Sequence, residues 1–154
     1  MTETRELIRH ILVDVFDDVL GLQEKYLKSH GVPLTINEVH TLEAILKAGD
    51  NNRMSDIADS LDITLSTFSI NIKRLINKGY VERVADDVDR RIGRLSLTEN
   101  AEKAIEVHEL FHDQLVDSLF ADLAIGDDKV LIESLVKIDN HFKKMKKEYS
   151  SNNR

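Results

Sequence analysis

The sequence predicts a mainly α-helical chain of six helices interrupted by one small β hairpin. Pro33 is the only proline and there are six glycines, so few points force a long helix to stop. Apolar residues recur at spacings of three and four through most of the chain. The clearest alternating stretch, Tyr80-Val-Glu-Arg-Val84, leads into a charged segment and a second short apolar run.

Taken in order, residues 4–28 form a helix with the pairs Leu7/Ile8, Ile11/Leu12, Val15/Phe16 and Val19/Leu20. That stripe is broader than a lone surface helix needs, so a subunit interface is expected there. Gly31-Val-Pro33 ends the element, and Thr35-Ile-Asn-Glu38 is a capping box opening a helix to about Ala48. Gly49-Asp-Asn-Asn52 supplies a turn, and a short helix follows with Met54, Ile57, Ala58 and Leu61 on one face. Asp62-Ile63 makes a tight turn, and Thr64 or Ser66 caps the next helix. In that helix Leu65, Phe68, Ile72 and Leu75 face the core, and Gly79 stands where a terminating glycine belongs. The hairpin has its loop over Ala85–Arg91 and returns through Ile92–Leu97. A long helix from Thr98 to about Leu123 carries Ala101, Ile105, His108, His112, Leu115 and Leu119 on its apolar side. After Gly126-Asp-Asp128, a final helix repeats Leu131, Leu135, Ile138, Phe142 and Met145. Lys143, Lys144, Lys146 and Lys147 complement the dipole at its C-terminal end.

A helix of major-groove size followed by a hairpin with arginines at its tip is the plan of a winged helix-turn-helix. The outward face of that helix carries Ser66, Thr67, Ile70, Lys73, Arg74 and Asn77. Ser66 and Thr67 suit phosphates or base edges, Lys73 and Arg74 suit phosphates, and Ile70 makes sense against a thymine methyl. Arg90 and Arg91 fit a minor groove, with Asp89 bracing one of them. The expected partner is double-stranded DNA.

The formal net charge of −7 is unusual for such a partner, but it is unevenly placed. Asp50–Leu95 holds eight basic and eight acidic residues, whereas Glu99–Asp122 holds seven acids against one lysine. Cysteine is absent, which excludes disulfides and thiol catalysis and fits a cytoplasmic protein. No apolar run reaches membrane-spanning length. No nucleophile elbow, P-loop or dinucleotide fingerprint is present, and the acidic pairs Asp17/Asp18, Asp86/Asp87 and Asp127/Asp128 read as solvated charge, so an enzyme is not expected.

Asp89-x-Arg91-x5-Leu97-Thr98, with Lys78-Gly79-Tyr80 before the hairpin, resembles the D-x-R-x5-L-T signature of the MarR family of regulators. The resemblance spans about residues 5–147. It implies a homodimeric repressor on a near-palindromic operator, intertwined through its first and last helices. Dimerisation then falls to residues 1–32 and 99–149, the DNA-binding head to 35–98, and a disordered tail to 150–154. It also implies that Ser66, Thr67, Ser69, Ile70, Lys73 and Arg74 enter the major groove, with Asp89, Arg90 and Arg91 at the minor groove.

His108 and His112 stand one helical turn apart, a spacing that lets two imidazoles hold one ion or lets both be satisfied core histidines. Two branches of the family share further features with the chain. The zinc-sensing branch implies a metal site of Glu24, His40, His108 and His112. Its second site uses a cysteine and a glutamate; His30 and Val39 stand there instead, so a second site is not expected. The fatty-acid-synthesis repressors resemble Ile36-Asn-Glu-Val-His-Thr41, Lys78–Val84 and His108-x-x-Phe111-His112, and imply an acyl chain or acyl carrier protein as effector. The acidity of Glu99–Asp122 is a poor match for the acidic carrier protein, an objection a free acyl chain escapes.

Overall fold

A computed structural model describes residues 2–51, 53–85, 93–123 and 128–152. The first helix, α1, covers residues 2–29; it is α-helical over Thr2–His10 and Phe16–Ser29 with a wider π-helical turn at Ile11–Val15. Then come α2 (Ile36–Ala48), α3 (Met54–Ser60), α4 (Leu65–Asn77), β1 (Val81–Ala85), β2 (Gly93–Leu97), α5 (Glu99–Leu123) and α6 (Lys129–Asn152). The six helices and two-stranded wing match the expected class. Helix α6 continues to Asn152, into the segment expected to be a tail, because no glycine or proline stops it. Contacts divide the chain into two compact units, Met1–His112 and Asp113–Arg154.

The first unit holds the core. Leu27 of α1, Leu42 of α2, Ile57 of α3, Phe68 and Ile72 of α4, and Ala101 of α5 are all fully or almost fully buried. The capping box forms as the sequence predicts: Thr35 Oγ1 accepts from Glu38 N–H, and Glu38 accepts from Thr35 N–H at 2.9 Å. Between α3 and α4 the chain turns through Asp62, whose φ of 55° closes α3 in a left-handed cap. Ile63 N–H reaches Ala58 C=O and Asp62 N–H reaches Asp59 C=O, both at 3.1 Å, satisfying carbonyls that a helix end leaves open. Thr64 is the N-cap of α4, accepting from Thr67 N–H at 3.1 Å. Leu65 departs from expectation: it is 49% exposed. As the first residue of α4 its side chain leans over the preceding turn, not over the core.

The wing is antiparallel, with Val81 opposite Leu97 and Ala85 opposite Gly93. Val81 and Leu95 are buried, whereas Glu82, Arg83 and Val84 are exposed, so β1 enters the core at its first residue and leaves it toward the loop. In the second unit, α6 exposes Leu135, Ile138 and Phe142.

Candidate nucleic-acid interface and histidine cluster

Helix α4 is divided lengthwise. Phe68, Ile72 and Leu75 are 0% exposed, whereas Ser66, Thr67, Ile70, Lys73, Arg74 and Asn77 face outward. Ile70, at 52% exposure, sits in the middle of that polar face. Thr67 Oγ1 lies 2.9 Å from Thr64 Oγ1, within the cap. Ser69 is half-buried and its hydroxyl donates to the Leu65 carbonyl at 2.8 Å, turned back on its own helix. Asp89, Arg90 and Arg91 lie outside the described residues.

Two contacts fix the far end of α4. Gly79, at φ 80°, lets Tyr80 N–H return to Leu75 C=O at 2.9 Å. Thr98 then closes the junction: its N–H donates to Tyr80 C=O at 3.1 Å, its hydroxyl donates to Gly79 C=O at 2.8 Å, and its Oγ1 accepts from Ala101 N–H at the start of α5. Lys-Gly-Tyr and Leu-Thr, separate in sequence, thus form one clip. Next to it, Lys78 Nζ donates to both carboxylate oxygens of Glu38 at 2.7 and 2.9 Å, tying α4 to the start of α2. Burial pushes the Glu38 carboxyl up, but the bonds from Lys78 and Thr35 outweigh it and hold the group below the ordinary glutamate range. Arg94 of β2 donates to the Asp50 carbonyl at 3.0 Å, bracing the wing on the loop after α2.

A second site lies where α1, α2 and α5 meet. His40 and Glu43 project one turn apart from α2, and His108 and His112 one turn apart from α5. His108 is buried, and its Nδ1 lies 2.6 Å from Glu43 Oε1. A carboxylate only accepts, so His108 carries its proton on Nδ1 toward Glu43. His108 Nε2 is 3.2 Å from His112 Nε2, and Gln23 Nε2 of α1 is 3.4 Å from the same His112 atom. The His40 ring centroid is 5.4 Å from that of His108. One donor atom from each of His40, Glu43 and His108 falls within 4.8 Å of the others.

Burial holds the His40 pKa below its ordinary value; Glu43 pulls it up, and His108 and His112 add to the lowering. Burial raises Glu43, but the bond and charge of His108 prevail, so Glu43 is an anion at neutral pH. Of the four sequence-predicted metal ligands, His40, His108 and His112 come together. Glu24 is half-buried on α1 and stands outside the group; the carboxylate that is present belongs to Glu43. Glu43 and Gln23 carried no local signal, because the contacts that matter span 65 and 89 residues of sequence. Gln23 Oε1 and Tyr26 OH are buried with no hydrogen-bond partner among the described residues. His30 Nδ1 is engaged with the Tyr26 carbonyl at 2.9 Å, and its ring stacks on Tyr26.

Helix, tight turn, outward-facing helix and two-stranded wing together define a winged helix-turn-helix protein. Residues 30–92 match the model of the MarR family. Among solved structures, FabT of Streptococcus pneumoniae in complex with DNA is 25% identical, with a TM-score of 0.76 over 92% of this chain and 99% of that one. A MarR family protein from Bacillus stearothermophilus is 20% identical, with a TM-score of 0.68 over 94% of this chain and 98% of that one. The S. aureus MepR–DNA complex is 19% identical, with a TM-score of 0.63 over 87% and 95%. No curated protein matches the chain in sequence. The match to the MarR family model covers most of the DNA-binding head and stops short of the long helix.

Proposed function

We propose that the protein is a DNA-binding transcriptional regulator, a repressor acting as a homodimer on a near-palindromic operator in the cytoplasm. The carrying observation is the division of α4: a fully buried side that fixes its position, and an exposed side of small hydroxyls, one isoleucine and two cations. A groove reader needs that combination, because phosphate contacts set the register while Ile70 and the hydroxyls meet base edges. The two relatives solved with DNA support the reading. Arg90 and Arg91 are assigned to the minor groove on the sequence pattern alone.

Leu7, Ile8, Ile11, Leu12 and Phe16 of α1 and Leu135, Ile138 and Phe142 of α6 are each between 46% and 59% exposed. Apolar surface on that scale calls for a partner, and a second copy supplies a twofold axis. Two heads then meet half-sites roughly 34–36 Å apart. The test is retardation of duplex DNA from a random pool by wild type and by Ile70→Asp. Wild type retards DNA and yields a palindromic consensus, and the variant stays dimeric without retarding it. A wild type that retards no duplex overturns the proposal.

The histidine cluster supports a second reading, on control. We infer that a divalent metal of zinc type binds between α2 and α5 and modulates DNA binding, supported by the convergence of His40, Glu43 and His108 donor atoms. Such an ion is a sensory ligand, with the DNA-reading face elsewhere on the head. Calorimetric zinc titration of chelator-treated protein tests it, and equal affinity in wild type and His108→Ala/His112→Ala sinks it. Native mass spectrometry showing a retained fatty acid would favour the acyl effector instead.

A further inference from the structure

We propose that the carboxylate of the metal site is Glu43, not Glu24: His40, Glu43 and His108 hold the ion, and His112 positions His108 without binding it. This rests on the metal reading above. Residues 40 and 43 are three apart on α2, the helical spacing that sends an imidazole and a carboxylate to one ion. His108 faces them from α5, and one donor atom from each of the three lies within 4.8 Å of the others. Four-coordinate zinc at about 2.0–2.1 Å from each ligand spaces its donors at about 3.3 Å, so closure requires movements of roughly 1–1.5 Å. His40 is exposed and has room to turn.

The Glu43–His108 contact marks where the ion enters. Oε1 and Nδ1 lie 2.6 Å apart, sharing one proton. Zinc takes that proton's place at Nδ1, the proton passes by way of solvent to Nε2 of the same ring, and the two atoms separate to the ligand spacing. His108 then carries its one proton on Nε2 and donates it to His112 Nε2 at 3.2 Å, with His112 holding its own proton on Nδ1. That is the outer contact that a metal-bound histidine takes up on its second nitrogen. His112 in turn lies 3.4 Å from the amide nitrogen of Gln23, which draws α1 into the same network. Glu24, the neighbour of Gln23 on α1, has no donor atom in the group. With two ligands on α2 and one on α5, loading ties the first helix of the head to the long helix.

The experiment is calorimetric zinc titration of the chelator-treated full chain in wild type, Glu43→Gln, Glu24→Gln and His112→Ala, with the zinc-edge X-ray absorption of loaded wild type. Glu43→Gln is expected to weaken binding at least 100-fold and Glu24→Gln less than threefold. Loss of the outer contact in His112→Ala weakens it about 10–100-fold. The absorption data count two imidazoles in this arrangement, against three if Glu24, His40, His108 and His112 are the ligands. That measurement stands even where a variant fails to fold. Loss of binding in Glu24→Gln with retention in Glu43→Gln, or three imidazoles in wild type, overturns the assignment while leaving the metal reading intact. A wild type that binds no zinc overturns both.

Discussion

Replacing Lys73 and Arg74 together by alanine tests the orientation of α4 in a way that needs no operator. Both side chains are exposed on the face opposite Phe68 and Ile72, so their removal leaves the core untouched. If each meets one phosphate in each half of a dimer, the double variant gives up four phosphate contacts. Each neutralised phosphate contributes about 0.9 to the slope of log affinity against log salt, so the slope falls by about 3.6. Between 50 and 200 mM salt, wild-type affinity for duplex DNA then drops about 150-fold more than that of the variant. Fluorescence anisotropy with one labelled random-sequence duplex, at five salt concentrations, measures both slopes. Sedimentation and circular dichroism establish that the variant is dimeric and folded. Slopes agreeing within half a unit would refute the placement of this face against the phosphate backbone.

Thr98→Val removes the hydroxyl that donates to Gly79 C=O and caps α5, at a cost of about 1–2 kcal/mol. The midpoint of thermal unfolding at fixed protein concentration should fall by about 3–6 °C. Thr98→Ser, which keeps the oxygen, should lie close to wild type. The lowered pKa of Glu38 predicts a stability contribution that is full above the ordinary glutamate range, about pH 4.3, and is lost as pH falls through the depressed value. Urea unfolding of wild type against Glu38→Gln should therefore differ at pH 6, by no more than about 1 kcal/mol because Lys78 is 41% exposed, and converge once the pH lies below the depressed value. A gap that widens in acid would contradict that sign. Leu135→Asp/Phe142→Asp should turn a dimer into a monomer in sedimentation, and a monomeric wild type would remove the basis for the dimer.

What the residues disclose in advance is what acts locally. The Thr35 capping box, the Gly79 terminus and the three- and four-residue spacing in α4 each depend on neighbours within one or two turns, so pattern and chemistry decide them together. Leu65 misled because periodicity assigns a face but does not register that the first residue of a helix leans off its end. The π-helical turn at Ile11–Val15 has no glycine or proline to mark it. The candidate metal site was half legible. His108 and His112 announce themselves by spacing, whereas Glu43 matters only once α2 and α5 are packed, and its partner is 65 residues away. Lys78 and Glu38, 40 residues apart, were each visible as a local motif but not as a pair.

The Thr98 clip has a mechanical consequence. A single residue ends the wing, begins α5 and holds the carbonyls of Gly79 and Tyr80, so no linker lies between long helix, wing base and reading helix. A flexible joint there would absorb a small tilt of α5 before it reached α4. With hydrogen bonds in place of slack, the first turn of α5 works as the short arm of a lever whose fulcrum is Thr98. A tilt of α5 entering at His108, three turns along, would meet no joint to damp it before the end of the helix that carries Lys73 and Arg74.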